Sequence, residues 1–300
     1  MRTLSRRELK IIPIPKTGKR SKAHSIRSSW NFPKRKNNRE VICLYAEEAS
    51  SVIQSGQVWE KGGNHLYGTD CMDILPKLPG ESIDLIIADP PYYRMKGSFD
   101  FVFLSEKEYL EWCSLWVAEC CRVLKPTGAF YCWGSCLMID KLSVLVLERF
   151  DWTKRNLIVW NYKTGRPAKT AYRNETELLW FYSKELHTLN LDEIRIAYSK
   201  GSEKDKRKNP KGKSCGNVWE FSRIMPNYKE WTGHPTQKPE KLAERILLAS
   251  SKPGDLVLIP FAGSGTEIEA CIRTGRNWLA AEKEEKYIQE FILPRIQSVV

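Results

Sequence analysis

The chain has 300 residues, 42% hydrophobic composition and a formal net charge of +12, enough for one large α/β domain or two smaller ones. No apolar run approaches the roughly 18 residues that span a bilayer, and the first seven residues lack a signal peptide's apolar core, so a cytoplasmic protein without a membrane partner is expected. Nine cysteines form no C-x-x-C pair, so neither a metal site nor a disulfide framework is indicated, and free thiols packed as small hydrophobes are expected.

The charge is unevenly spread. Residues 1–39 hold 13 Lys or Arg against Glu8 alone, whereas the remainder carries 35 basic and 35 acidic groups. Residues 1–40 therefore read as a basic arm, flexible in isolation, that either follows a phosphate backbone or merely solubilises the chain. Trp30 and Phe32 beside Lys34, Arg35 and Lys36 favour contact.

From Val41 the composition becomes globular, and residues 41–160 read as strand, helix, strand, the unit of a parallel sheet. His65 to Asp70 is a short strand ending in an acid, and Cys71 to Leu78 supplies a helical turn or two. Ile83 to Ile87 is a buried strand stopped by Pro90 and Pro91, which lack N–H donors and hold φ near −65°. Asp89 and Tyr92 then sit on a stiff turn at a strand's carboxyl end, where parallel sheets bind ligands; a structural turn with a capping Asp is the plain alternative.

Glu106 to Leu124 has helical spacing and stops at Lys125-Pro-Thr-Gly128. Ala129 to Trp133 is a strand, Met138 to Arg149 a helix, Arg155 to Trp160 a strand, and Glu177 to Tyr182 its expected neighbour. Residues 161–232 are otherwise irregular, with basic loops around Lys163–Lys169 and Lys200–Lys213 of the length that carries recognition. The last segment, 233–300, is regular again: a helix from Pro239 to Ser251, a strand from Asp255 to Ile259, a helix to Arg273, and a strand from Asn277 to Glu282.

Gly263 and Gly265 between a strand and a helix let the backbone approach a ligand, and Glu282 ends the next strand where ribose hydroxyls would be accepted. Ile268 replaces the third small residue of the dinucleotide fingerprint, and no phosphate-loop Lys-Ser/Thr pair is present, so NAD and ATP fit poorly.

These motifs, with Gly233-His-Pro-Thr-Gln-Lys-Pro239, Ile158-Val-Trp160-Asn161 and Asn174-Glu-Thr-Glu177-Leu-Leu-Trp180, make residues 64–290 resemble the S-adenosylmethionine-dependent DNA amino-methyltransferases. The resemblance is to the permuted group in which D-P-P-Y precedes F-x-G-x-G. It implies an α/β fold with a doubly wound, mostly parallel seven-stranded Rossmann-like sheet, closed by the strand ending at Asp70. Residues 161–232 would be the inserted target-recognition region between a catalytic half, 41–160, and a cofactor half, 233–300.

The resemblance further implies catalysis by Asp89, Pro90, Pro91 and Tyr92. Contacts to S-adenosylmethionine would come from Asp70, Thr236, Lys238, Phe261, Gly263, Gly265, Thr266 and Glu282. The basic loop residues Lys163, Arg166, Lys169 and Arg173 would meet DNA. Where the group usually has an acid before Pro-Phe this chain has Ile259, so the cofactor's amino end would be held from elsewhere, by Lys238 or Thr236. Aspartate at position 89 points to adenine N6 in double-stranded DNA. Cytosine N4, RNA, or DNA binding by a degenerate transferase site stay open, as do a cognate restriction endonuclease and a homodimer as partners.

Overall fold

A computed structural model of the chain describes residues 56–94, 102–165, 167, 169–199, 201 and 207–300. The basic arm and Arg166 lie outside the described residues. Nine strands form one sheet: β1 (Gln57–Lys61), β2 (Asn64–Tyr67), β3 (Ile83–Ala88), β4 (Leu124–Gly134), β5 (Thr153–Asn161), β6 (Thr176–Ser183), β7 (Val218–Glu220), β8 (Leu256–Ile259) and β9 (Asn277–Ala281). Their order is β1-β2-β9-β8-β3-β4-β6-β5-β7.

The five strands from β2 to β4 in that order run parallel to one another, β6 is antiparallel to both β4 and β5, and β7 is parallel to β5. Seven strands, β2 through β5 across the sheet, are those expected. Two more extend the edges. β1 exists because Gly62 and Gly63, with φ of +61° and +81°, close a two-residue hairpin onto β2. β7 is a three-residue edge strand on β5. The stretch 161–232 is thus interwoven with the sheet, since β6 fills the position between β4 and β5.

Side chains alternate between the two faces as strand geometry requires. Ile86, Ala88, Phe130, Cys132 and Leu258 point to one layer and Leu85, Ile87, Tyr131, Trp133, Val257 and Ile259 to the other. The first layer is covered by α1 (Glu106–Val123), whose buried stripe is Tyr109, Cys113, Trp116, Val117 and Cys120. Ser105 caps α1 by accepting from the Glu108 N–H at 3.2 Å, and the Glu108 carboxylate accepts from Leu104 N–H at 2.8 Å. α2 (Ile139–Leu145) joins this layer through Ile139 and Leu142.

The expected helix from Met138 to Arg149 is shorter, because the chain tightens into a separate turn at Leu147–Arg149. The expected break at Lys125–Gly128 is a bulge inside β4. Pairing with β3 jumps from Ile83↔Leu124 to Leu85↔Ala129, and Gly128 is required where a Cβ would stand 2.6 Å from the Leu124 side chain. Six of the eight described cysteines are buried, consistent with their use as small hydrophobes.

The second layer is α3 (Glu240–Ser250) and α4 (Thr266–Thr274), with Leu242, Ile246, Leu247 and Ile268 against the sheet. A C-terminal stretch packs outside α4: α5 (Glu285–Tyr287), a π-turn at Ile288–Ile292, and α6 (Leu293–Val299). Glu269 of α4 is held there by buried Arg295, whose Nη1 donates to Oε2, and by Arg273, whose Nη2 donates to Oε1 at 2.6 Å. Removing one member of a buried pair leaves an uncompensated charge. Glu269→Ala is expected to lower unfolding stability by about 3–5 kcal/mol, read from urea denaturation midpoints.

The permuted chain order disappears in space. β3 lies beside β8, with Leu85↔Val257 and Ile86↔Leu258 in register, so Asp89 and Phe261 emerge from adjacent strands. β9 pairs β8, and β2 pairs β9 through His65↔Leu279 and Tyr67↔Ala281. The carboxyl ends of β2, β9, β8 and β3 therefore open along one edge.

Candidate active site

That edge carries a cleft with about 170 Å³ of open space. Of the residues expected at a cofactor or catalytic site, Asp70, Asp89, Pro90, Pro91, Tyr92, Thr236, Lys238, Phe261, Gly263 and Glu282 all line it. Gly265 and Thr266 do not. Gly265, φ +74°, begins α4 and packs on Ile292, and buried Thr266 donates from Oγ1 to the Lys238 carbonyl at 3.3 Å. Both shape the turn from behind the cleft.

Asp89 follows directly on β3. Tyr92 Oη donates to its Oδ1 at 2.8 Å, and Lys238 Nζ donates to its Oδ2. Lys238 Nζ also donates to Tyr92 Oη at 3.1 Å, lies 3.6 Å from Glu177 Oε2, and sits over the Trp133 ring at 4.9 Å. Burial works against the charge on Lys238, but Asp89 and Glu177 outweigh it and raise its pKa. Burial, then the charges of Asp89 and Glu177, push the Tyr92 phenol well up, so it stays a neutral donor.

At the end of β9, Glu282 accepts from the Gly263 N–H at 2.8 Å through Oε2 and from the Glu284 N–H at 2.9 Å through Oε1. Burial raises its pKa while these two amides oppose the rise. Gly263, φ +51°, lets the loop after β8 turn inward, and Phe261 presents a ring packed edge-on against Trp116 at 5.3 Å. Asp70 accepts from the Met72 N–H at 3.0 Å, so it caps the turn after β2 as well as facing the cleft. His234, buried against Tyr287 and Phe291, accepts from the Thr236 N–H at Nδ1 (3.3 Å), and its Nε2 has no partner. Burial drives its pKa down to about 4, keeping the ring neutral.

Glu177, His234, Trp112 and Glu267 are among the cleft residues that stand outside the expected site. Glu177 and His234 fall inside motifs visible in the sequence, whereas Trp112 and Glu267 lie on helices whose reading is dominated by their apolar stripe. Ile259 is fully buried in the second layer and contributes nothing to the cleft.

Of the basic loop residues, Lys163, Lys169 and Arg173 are exposed, and two already have partners: Lys163 Nζ lies 2.7 Å from Glu220, and Arg173 pairs with Glu175. Surface pairs of this kind are weak, within about 1 kcal/mol.

A mostly parallel sheet in which β6 runs antiparallel to β4 and β5, a glycine turn and a buried acid on adjacent strands, and an Asp-Pro-Pro-Tyr turn across the cleft define the Rossmann-like methyltransferase class. The family model for DNA methylase (N6_N4_Mtase) matches residues 83–293. The DNA adenine methyltransferase YhdJ of Escherichia coli (strain K12) is 40% identical over 233 residues, covering 73% of this chain and 78% of that protein. The type II methyltransferase M.BglII of Bacillus subtilis is 35% identical over 244 residues, covering 75% of this chain and 67% of that one. The fold is shared with the cytosine-N4-specific PvuII DNA methyltransferase (TM-score 0.61, 20% identity, 75% and 84% coverage). It is shared too with the M1.HpyAVI–SAM complex (TM-score 0.56, 24% identity, 77% and 98% coverage). The chain belongs to the N6_N4_Mtase family of DNA methylases.

Proposed function

We propose that this protein methylates the exocyclic N6 of adenine in double-stranded DNA, with S-adenosylmethionine as methyl donor. The observation that carries the reading is the convergence of Asp89-Pro-Pro-Tyr92 with Gly263 and Glu282 in one cleft, on the ends of neighbouring strands.

The cleft's own chemistry suits that cofactor. Six carboxyl groups and two lysines line it, matching a ligand that carries a sulfonium and an ammonium against one carboxylate. Glu282 keeps lone pairs free for a ribose after serving two amides, and buried His234 Nε2 is a donor awaiting an acceptor. S-adenosylmethionine supplies an electrophilic methyl group when bound.

This chain's residues then prepare the amine. An exocyclic amine is a poor nucleophile because its lone pair is delocalised into the base ring. Asp89 and the Pro90 carbonyl accept its two hydrogens, which draws the lone pair out of the ring and toward the donor. A carboxylate has about four acceptor sites, so Asp89 can take an amine hydrogen while still bound to Tyr92 or Lys238. Tyr92 offers a ring to stack on a base turned out of the duplex, as chemistry on a base atom requires. Positioning provides most of the rate, and no strong base is needed, because the amine loses its proton easily once methylated.

Adenine is favoured over cytosine by Asp89 itself and by the similarity to the DNA adenine methyltransferase of Escherichia coli. Digestion of methylated duplex DNA to nucleosides tests it: N6-methyl-2′-deoxyadenosine is the expected product, and N4-methyl-2′-deoxycytidine would overturn the assignment. Residues 161–232 are proposed as the target-recognition region and residues 1–40 as a phosphate-tracking arm. Deleting residues 1–39 is expected to flatten the dependence of DNA affinity on salt, measured by titrations at several salt concentrations; an unchanged slope removes the arm from the phosphates.

A further inference from the structure

Every buried or half-buried carboxylate in the cleft but one has a partner from another residue. Asp89 is held by Tyr92 and Lys238, Glu177 faces Lys238, Asp70 accepts from an amide, and Glu282 accepts from two. Glu267 is the exception. It lies in the first turn of α4, is 7% exposed, and lines the cleft. Among the described residues no other group donates to its carboxylate, and its own backbone N–H is the donor it has.

A buried carboxylate without a partner is costly, and a cation brought into the cleft by a ligand would offset that cost. Lys238 is not that cation, because its Nζ is committed to Asp89, Tyr92 and Glu177. Arg295, the other nearby cation, is committed to Glu269. Ile259, one residue before the turn, faces the core and supplies no acid to the cleft.

We propose that Glu267 is the residue that binds the α-ammonium group of the cofactor's methionine end, an inference that rests on the S-adenosylmethionine reading above. Its place fits: the first turn of α4 follows directly on the glycine turn, and Glu267 lines the same cleft as Phe261 and Asp89. Burial and the neighbouring charge of Asp89, against its own N–H, Lys238 and Arg295, push Glu267 up to about 7, so little is required to ionise it when an ammonium arrives. The contact acts on binding and orientation, not on the methyl group.

Calorimetric titration of the full chain with three ligands tests this. Glu267→Gln is expected to weaken S-adenosylmethionine and S-adenosylhomocysteine alike by about ten- to a hundredfold, since both carry the ammonium. Binding of 5′-methylthioadenosine, which lacks the amino-acid end, should be unchanged. Equal weakening of all three would show a merely structural role and overturn the assignment. Weakening of S-adenosylmethionine alone would place the carboxylate at the sulfonium and overturn it too. Wild-type binding of none of the three would remove the cofactor reading itself, and this inference with it. Glu267→Asp serves as a second variant: partial recovery of the lost affinity is expected, and an Asp variant no better than Gln counts against a charge contact.

Discussion

Asp89→Asn is expected to lower methyl transfer to duplex DNA by about 10²–10³-fold while cofactor affinity changes little. The reason is directional. An amide replaces one acceptor oxygen by a donor, and that donor meets groups that themselves donate: the Tyr92 hydroxyl, the Lys238 ammonium and the target amine. Asp89→Ala, which removes both acceptors, should be at least as severe. Glu282 and Gly263, the residues proposed for the cofactor side of the cleft, are joined by a hydrogen bond that does not involve Asp89. Transfer of labelled methyl groups gives the activity, and calorimetric titration with S-adenosylmethionine gives the binding. Transfer surviving in either variant would remove Asp89 from the chemistry, and joint loss of transfer and binding would make its role structural.

Lys238→Met is expected to affect both stability and rate. The ammonium is 4% exposed and faces two carboxylates, each 24% exposed, so its removal leaves acids facing each other with no cation between them. Breaking a buried pair costs roughly 3–5 kcal/mol, and the partial exposure of Asp89 and Glu177 puts the expected loss at the low end of that range. Urea denaturation measures it. If the loss comes from repulsion across the vacated site, Lys238→Met combined with Glu177→Gln should recover part of it, a coupling that a double-mutant cycle reads directly. Additive losses would mean that Lys238 does not bridge the two acids. Transfer should fall as well, because Lys238 and Tyr92 together fix the orientation of the Asp89 carboxylate.

Much of the fold was legible in the sequence. Strand β3 announces itself by Ile83, Leu85, Ile86 and Ile87 and is ended by Pro90 and Pro91, both short-range properties of φ and side-chain branching. α1 was legible from the spacing of Tyr109, Cys113, Trp116 and Cys120, and the parallel closure of β2 on β9 followed from the permuted order of the two motifs. Less legible were β1, whose signal is only the Gly62-Gly63 turn, and the bulge at Lys125–Gly128, which resembles a simple stop until the register across β3 is known. Within 161–232, β6 and its pairing with β5 are legible in the sequence, but its second pairing, with β4, is not, because pairing partners are chosen across the whole chain and not by local pattern.

The site divides along the same line. Which residue types stand at the ends of β3, β8 and β9 is readable from local strand, turn and glycine signals: Asp89, Tyr92, Phe261, Gly263 and Glu282 are expected there and all line the cleft. What they touch follows from the packed fold alone. Lys238 reaches Asp89 across 149 residues of chain, Gly265 and Thr266 turn away behind the cleft, and Glu267 emerges as a buried cleft acid to which no other group among the described residues donates. Those outcomes depend on burial and through-space charge, which exist only once β3, β8 and the start of α4 have been brought side by side.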